Sequence, residues 1–347
     1  MKNEVFSVNI YDISKKTGVS IATVSRVING SSNVSDKTRA KVLSAIEEYG
    51  YTPNVFARGL GLNTMKTIGV MCADASDPYL ARAVYYIEQE LSKNSYDSLL
   101  SCTGYDHDSK EKCMGMLLSK RVDAIILVGS NYIENDDSLN DYIRNAAASV
   151  PVMIVNGVLN APNIYSTLCD DHAAIYEVTT NFIKNGRKNL IYLYNSTSYS
   201  GMKKLSGFKS AVKDAGLNVN DNRIVFIASH CLTVHDAKAA IEKTARKGIK
   251  FDGVIAADDI ISAGVLKYAK ENNISIPDQL FVTGYNNFDI SECCDPEITS
   301  VDNQLEIICR HCISTLMSVF AEDKSVPKKT VFSAEIIERE TTDFKIR

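Results

Sequence analysis

Between Ser20 and Asn29 the chain reads Ser-Ile-Ala-Thr-Val-Ser-Arg-Val-Ile-Asn. Wound as a helix, Val24, Val27 and Ile28 form one apolar stripe, and Ala22, Thr23, Ser25, Arg26 and Asn29 face away from it. Small and hydroxylated side chains let a helix approach a groove closely, and an arginine among them can chelate guanine O6 and N7. That is the chemistry of reading base edges. A three-helix bundle with a merely solvated polar face has the same spacing, so the pattern alone does not choose.

The rest of the chain offers little that could catalyse. Cys309-Arg310-His311-Cys312 is a CxxC with Cys293-Cys294 not far away, a set that a thiol redox site or zinc could use. It falls inside a helical pattern, and no second CxxC exists, so buried thiols on a packed helix explain it better. The histidines His107, His172, His230, His235 and His311 are dispersed. No phosphate loop, no GxGxxG after a strand, no GxSxG and no HExxH is present. The expectation is no cofactor, no metal and no enzyme.

The Ser20–Asn29 face needs a small helical scaffold to carry it. Asn9 can cap a first helix with Asp12 as its capping-box partner, turning Ile10 and Ile13 inward. It breaks at Gly18; Ser20 caps the second helix and Gly30 stops it. Ser35 caps a third, where Val42, Leu43, Ile46 and Tyr49 recur at helical spacing. Two helices about a Gly18-Val19-Ser20 turn make a helix-turn-helix, closed by the third.

Farther on, strand-sized apolar runs alternate with amphipathic helical patterns. Strands are expected at 67–73, 98–102, 124–129, 152–156, 190–194, 224–228, 253–257 and 280–284. Helices are expected at 79–93, 175–185, 205–215, 237–247 and 260–272. Strict alternation means an α/β chain with parallel sheets, either one large or two smaller, and ligands beyond the carboxyl ends of the strands.

Charge divides along the same line. Residues 1–64 carry eight Lys and Arg against five acids, whereas the remainder carries 30 against 37. A basic head on an acidic body suits a polyanion at the head alone. With 347 residues, 45% hydrophobic and 23% charged, the chain is globular and long enough for several cores. No apolar run nears the roughly 18 residues of a membrane span. The first residues lack a signal-peptide core, and nine scattered cysteines fit free thiols, so a cytoplasmic location is expected.

The run Ile10-Tyr11-Asp12-Ile13, then Gly18 through Gly30, Val34-Ser35, Thr38-Arg39, Val42-Leu43 and Gly50-Tyr51-Thr52-Pro53-Asn54 to Ala57-Arg58-Gly59-Leu60 resembles the LacI/GalR family of bacterial transcription regulators. The resemblance implies a helix-turn-helix head at 1–50, a hinge helix and linker at 51–65, and a two-lobed, Rossmann-like body of periplasmic-binding-protein type at 66–347. The body divides into lobe 1 at 66–160 and 288–320 and lobe 2 at 161–287 and 321–347, with the pattern 303–320 returning to the first lobe and 331–337 to the second. It further implies DNA contacts by Tyr11, Ser20, Ile21, Asn33, Ser35 and Thr38, alongside the face already described, and by Asn54, Ala57 and Leu60 of the hinge. Paired hinge helices would insert Leu60 into the minor groove, an apolar wedge that bends the duplex. Gly59 and Gly61 each weaken such a helix by roughly 1 kcal/mol, so its folding should lean on DNA.

Carried over residue by residue, the family's effector site falls on Ser76, Asp77, Tyr79, Ser130, Asn156 and Asp170. In the second half it falls on Lys204, Asp258, Asn286 and Asn303. Lys204 stands where the family has an arginine, Asn286 where it has an acid and Asn303 where it has a glutamine; an aromatic expected near Leu232 is missing. These departures leave a small-molecule effector, a sugar or sugar phosphate in the family, that need not be a sugar here. The head is similar to that of catabolite-control regulators, which use a phosphoprotein corepressor. Ile307, Ser314 and Ser318 are uncharged where those regulators hold charges, so that partner is not expected. Expected partners are a homodimer mate and pseudo-palindromic operator DNA, with no membrane. The competing function is a stand-alone ligand-binding protein of the periplasmic class.

Overall fold

The computed structural model of the chain describes residues 8–30, 32–51, 64–217, 223–228 and 232–345. The segment 52–63 lies outside them, and with it Asn54, Ala57 and Leu60. The chain divides into two compact units, residues 1–67 with 121–123 and the remainder.

In the first unit, α1 (Ile10–Thr17) starts on a reciprocal cap. The Asn9 side chain accepts the N–H groups of Tyr11 and Asp12, and the Asp12 carboxylate accepts that of Asn9. Gly18 ends the helix at φ 66°, a conformation that glycine adopts without penalty. α2 (Ile21–Ile28) is capped by Ser20, and α3 (Asp36–Glu48) by Ser35. Their core is Ile13, Val24, Val27, Val42 and Ala45. Leu43, placed in the inward stripe by its spacing, instead stands 49% exposed. Successive helical residues point about 100° apart, and in a core this narrow Val42 and Ala45 already fill the inward direction.

The second unit holds two six-stranded sheets. In chain order the strands are β1 (Thr67–Cys72), β2 (Asp97–Cys102), β3 (Ala124–Val128), β4 (Val152–Val155), β5 (Ile164–Cys169), β6 (Leu190–Tyr194), β7 (Ile224–Phe226), β8 (Gly253–Ala256), β9 (Phe281–Tyr285), β10 (Thr299–Asp302), β11 (Lys329–Phe332) and β12 (Glu335–Ile337). The first sheet runs β11-β5-β4-β3-β1-β2, and the second β12-β10-β9-β8-β6-β7. β1, β3, β4, β5 and β11 pair in parallel, as do β7, β6, β8, β9 and β10; β12 is antiparallel to β10. Helices cover both faces of such sheets, so central strands are apolar throughout: all five residues of β3 are fully buried.

The chain crosses between sheets three times, after β5, after β10 and between β11 and β12. Two boundaries read from the sequence therefore move. β5 belongs to the first sheet, not to a second lobe beginning at 161, and β10 belongs to the second sheet, not to a first-lobe segment 288–320. The stretch 331–337 is split between both sheets. β5 was hidden because Ser166 and Thr167, both buried, interrupt its apolar run. The helix Leu305–Phe320 does return to the first core, where Cys309 and Cys312 are fully buried. In the second lobe the helices Asp171–Lys184 and Tyr199–Asp214 meet at Gly207, where a Cβ would lie 2.3 Å from the His172 carbonyl oxygen.

Candidate functional site

The head presents the residues expected to meet DNA. Tyr11 is 68% exposed, Ile21, Ala22, Arg26 and Asn33 are exposed, and Thr23, Ser25 and Asn29 are half-buried. Several of them serve the local fold as well. Ser20 accepts the Thr23 N–H and pairs with its hydroxyl at 2.9 Å, and Ser35 does the same with Thr38. Asn29 donates to Ser25 at 3.4 Å, and its Oδ1 is buried without a partner.

The body has a cleft of about 850 Å³ between its sheets. Ser76, Asp77, Tyr79, Ser130 and Asn156 line it from the first lobe, and Lys204, Asp258, Asn286 and Asn303 from the second or the crossover behind it. The lining gathers at strand ends, where helices begin. Asp77 caps the helix Pro78–Lys93, Ser198 caps Tyr199–Asp214, and Asp258 caps Asp259–Glu271. Asp170 is the exception. It is exposed, accepts the Ala173 N–H as the cap of Asp171–Lys184, and does not line the cleft. Beside it Asp171 is buried, accepting from the Ser200 hydroxyl at 2.6 Å and from the Tyr285 hydroxyl.

Lys204 lies just inside the wall. Its ammonium donates to the Ala257 carbonyl at 3.2 Å and sits 3.5 Å from the centre of the Tyr285 ring. Burial lowers its pKa, against the opposing fields of Asp171 and Asp258. Burial pushes Asp258 up to about 6, opposed by the Ile260 N–H and Lys204 and aided by Asp77. Burial, then the charge of Asp258, carries Asp259 to about 7.

Sequence reasoning missed other parts of the wall. Lys110 is 2% exposed and holds Glu134 at 2.7 Å and the Asn131 carbonyl at 2.6 Å. Ser196, Ser198 and Ser200 line the second-lobe side. The aromatic sought near Leu232 is supplied elsewhere, by Tyr105, Phe226 and Phe288. The run Asn195-Ser196-Thr197-Ser198 after an apolar strand was the available signal, since strand ends are where such sheets bind. Among the described residues no cluster could hold a metal ion, and no helix is long and apolar enough to cross a membrane.

A helix-turn-helix head and a two-lobed body with a polar cleft define a DNA-binding regulator with an effector-binding domain. Residues 9–54 match the bacterial regulatory proteins of the lacI family, and 65–340 match the periplasmic binding proteins and sugar binding domain of LacI family. The chain belongs to the LacI family and is a DNA-binding transcription regulator. It is 51% identical, over 97% of its length and 100% of the relative's, to an HTH-type transcriptional regulator of Lachnoclostridium phytofermentans. It is 30% identical to catabolite control protein A of Priestia megaterium over 85% and 87% of the two chains. The fold matches that of the lac repressor dimer bound to operator and the anti-inducer ONPF, with TM-score 0.85 at 20% identity over 96% of this chain and 98% of that one.

Proposed function

We propose that the chain is a homodimeric repressor whose operator affinity is set by a small molecule held between its lobes. The observation that carries this reading is the convergence of nine polar residues, foreseen from scattered sequence positions, on one cleft walled by both lobes. Closing two lobes around a ligand shifts their relative placement, and a symmetric dimer can pass that shift to paired DNA-reading heads. The operator is a pseudo-palindrome, with Arg26 reading a guanine in each half-site and a deformable pyrimidine–purine step at its centre. The protein acts in the cytoplasm by binding alone, without a cofactor, a membrane or a catalytic step. It needs no phosphoprotein corepressor: Ile307 and Ser314 stand exposed and uncharged on the helix Leu305–Phe320.

The test is selection of bound DNA from a random pool, repeated with candidate metabolites present. Dyad-symmetric sites whose recovery changes with a metabolite support the reading. Sites without dyad symmetry sink the dimer, and recovery indifferent to every metabolite sinks the effector. A free-standing ligand-binding protein would select no DNA sequence at all.

A further inference from the structure

The cleft is unbalanced in charge, with Asp74, Asp77, Glu134 and Asp258 lining it against Lys110 and Lys204. Several of its donors are spent inside the protein, while Asn131 Nδ2 is a buried donor without a partner. Lys110 is held by Glu134 and the Asn131 carbonyl, and Lys204 by the Ala257 carbonyl and the Tyr285 ring. Ser76 donates to Asp74 at 2.7 Å, and Asn156 donates to the Tyr79 hydroxyl while its oxygen accepts the Cys169 N–H.

The amides behind Asp258 have a fixed polarity. Asn286 donates to the Asp258 carboxylate at 2.9 Å, and Asn303 donates to Asn286 Oδ1 at 3.1 Å. An ionised carboxylate only accepts, so Asn286 must turn its NH2 toward it and its oxygen toward Asn303, which must then donate. The chain ends on Asn303 Oδ1, an acceptor on a cleft-lining residue only 2% exposed and without a partner. Buried acceptors of this kind are rare in folded proteins, and a donor from a ligand would satisfy it. Two carboxylates, Asp77 and Asp258, line the cleft from opposite lobes, each also accepting an N–H of the helix it caps.

We propose that the effector is a polyhydroxylated amine, an amino sugar in its chemical class, with its ammonium between Asp77 and Asp258 and a donor on Asn303 Oδ1. This deepens the reading of the cleft as the effector site and rests on it. An ammonium brings positive charge and donors to a lining that holds more carboxylates than cations. A sugar phosphate has hydroxyl donors too, but sets its negative charge against the same carboxylates.

Full-length protein is titrated by calorimetry with matched sets: glucose, glucosamine and glucose 6-phosphate, then the galactose and mannose counterparts. In at least one set the amine is expected to bind ten-fold or more tightly than both its partners, and Asp258→Asn or Asp77→Asn to erase that preference. Asparagine keeps the helix cap in either variant. A neutral or phosphorylated sugar binding tightest overturns the amine and leaves the effector cleft standing. No binding by any amine also overturns it. The cleft reading is then judged separately, by whether the small-molecule fraction of a cell extract shifts operator affinity in the wild type and not in Asn303→Ala.

Discussion

Ser130 Oγ donates to Ser198 Oγ at 2.8 Å. Ser130 follows β3 in the first lobe and Ser198 caps the helix Tyr199–Asp214 in the second, so the bond ties the lobes together within the cleft. Arg82 and Asp289 make a second tie at 3.0 Å, with Asp289 largely exposed. Exposed pairs contribute at most about 1 kcal/mol, and a hydrogen bond about 0.5–1.5 kcal/mol net. Together these are of the size of a typical allosteric coupling, about 1–3 kcal/mol, so a ligand can outweigh them.

Ser130→Ala therefore shifts the lobes toward opening without touching the Ser198 cap. The expected change in the closed-to-open ratio is about two- to ten-fold, from the loss of one net hydrogen bond. Energy transfer between dyes on the two lobes reads it, and an unchanged distance distribution would remove the serine pair from the closing device.

Arg26→Ala should lower operator affinity by about 1–3 kcal/mol and flatten preference at one base pair of each half-site. Arg26 is exposed on α2 and carries no part of the head core, so the head should keep its melting temperature. Fluorescence anisotropy against the selected site and its single-base variants distinguishes this from a phosphate contact, which would weaken all sequences alike.

Stability should fall as pH rises from about 5 to about 7. Asp258 and Asp259 have folded pKa values raised to about 6 and about 7, chiefly by burial. Across that window the folded state keeps protons the unfolded chain has released, so alkalinity favours unfolding. Asp259 accepts from the Ser300 hydroxyl at 2.6 Å and the Phe288 N–H at 2.8 Å, with Asp258 and Arg339 as its charged neighbours. An amide can keep both bonds if the Ser300 hydroxyl turns round to accept. Asp259→Asn is thus expected to flatten the slope of melting temperature against pH, and an unaltered slope would assign it to other groups.

Thiol labelling should separate two classes. Cys102 and Cys293 are exposed and should react at once. Cys309 and Cys312 are fully buried, and burial raises both thiols, Cys312 to about 12. They should label only as the first lobe unfolds. Prompt reaction of both in native protein would reopen the CxxC as a reactive site.

What could be read in advance follows the range of the physics involved. The caps at Asn9, Ser20 and Ser35 are local, decided within three residues, and the structure has all of them where the sequence put them. Strands such as β3 and β6 announce themselves because both faces are buried and the whole run is apolar. β5 did not, since Ser166 and Thr167 lie buried within its run, and its place is set by pairing with β4 on one side and the distant β11 on the other. The cleft shows the same division. Most residues at strand ends were found, though not the serines after β6, whereas Lys110 was missed because it acts through a partner outside its own helix, Glu134.

That distinction changes what is expected of Lys204. As a surface residue of the cleft it would be lost with effects on the effector alone. Buried, with Asp171 as the largest favourable charge on it, it also acts on the carboxylate in the second-lobe interior. Lys204→Met keeps the apolar stem but leaves Asp171 in a dry site without its cation. Asp171 already has its pKa raised by burial, and losing Lys204, the largest opposing influence, raises it further. A carboxylate so raised opposes folding above its folded pKa and ceases to do so when protonated. The deficit of Lys204→Met should therefore grow from acid toward neutral pH, and Asp171→Asn in the same chain should recover much of it. Denaturant melts of the four proteins of this cycle at pH 5 and pH 8 measure both effects. Additive losses with no pH dependence would show that Lys204 and Asp171 act independently.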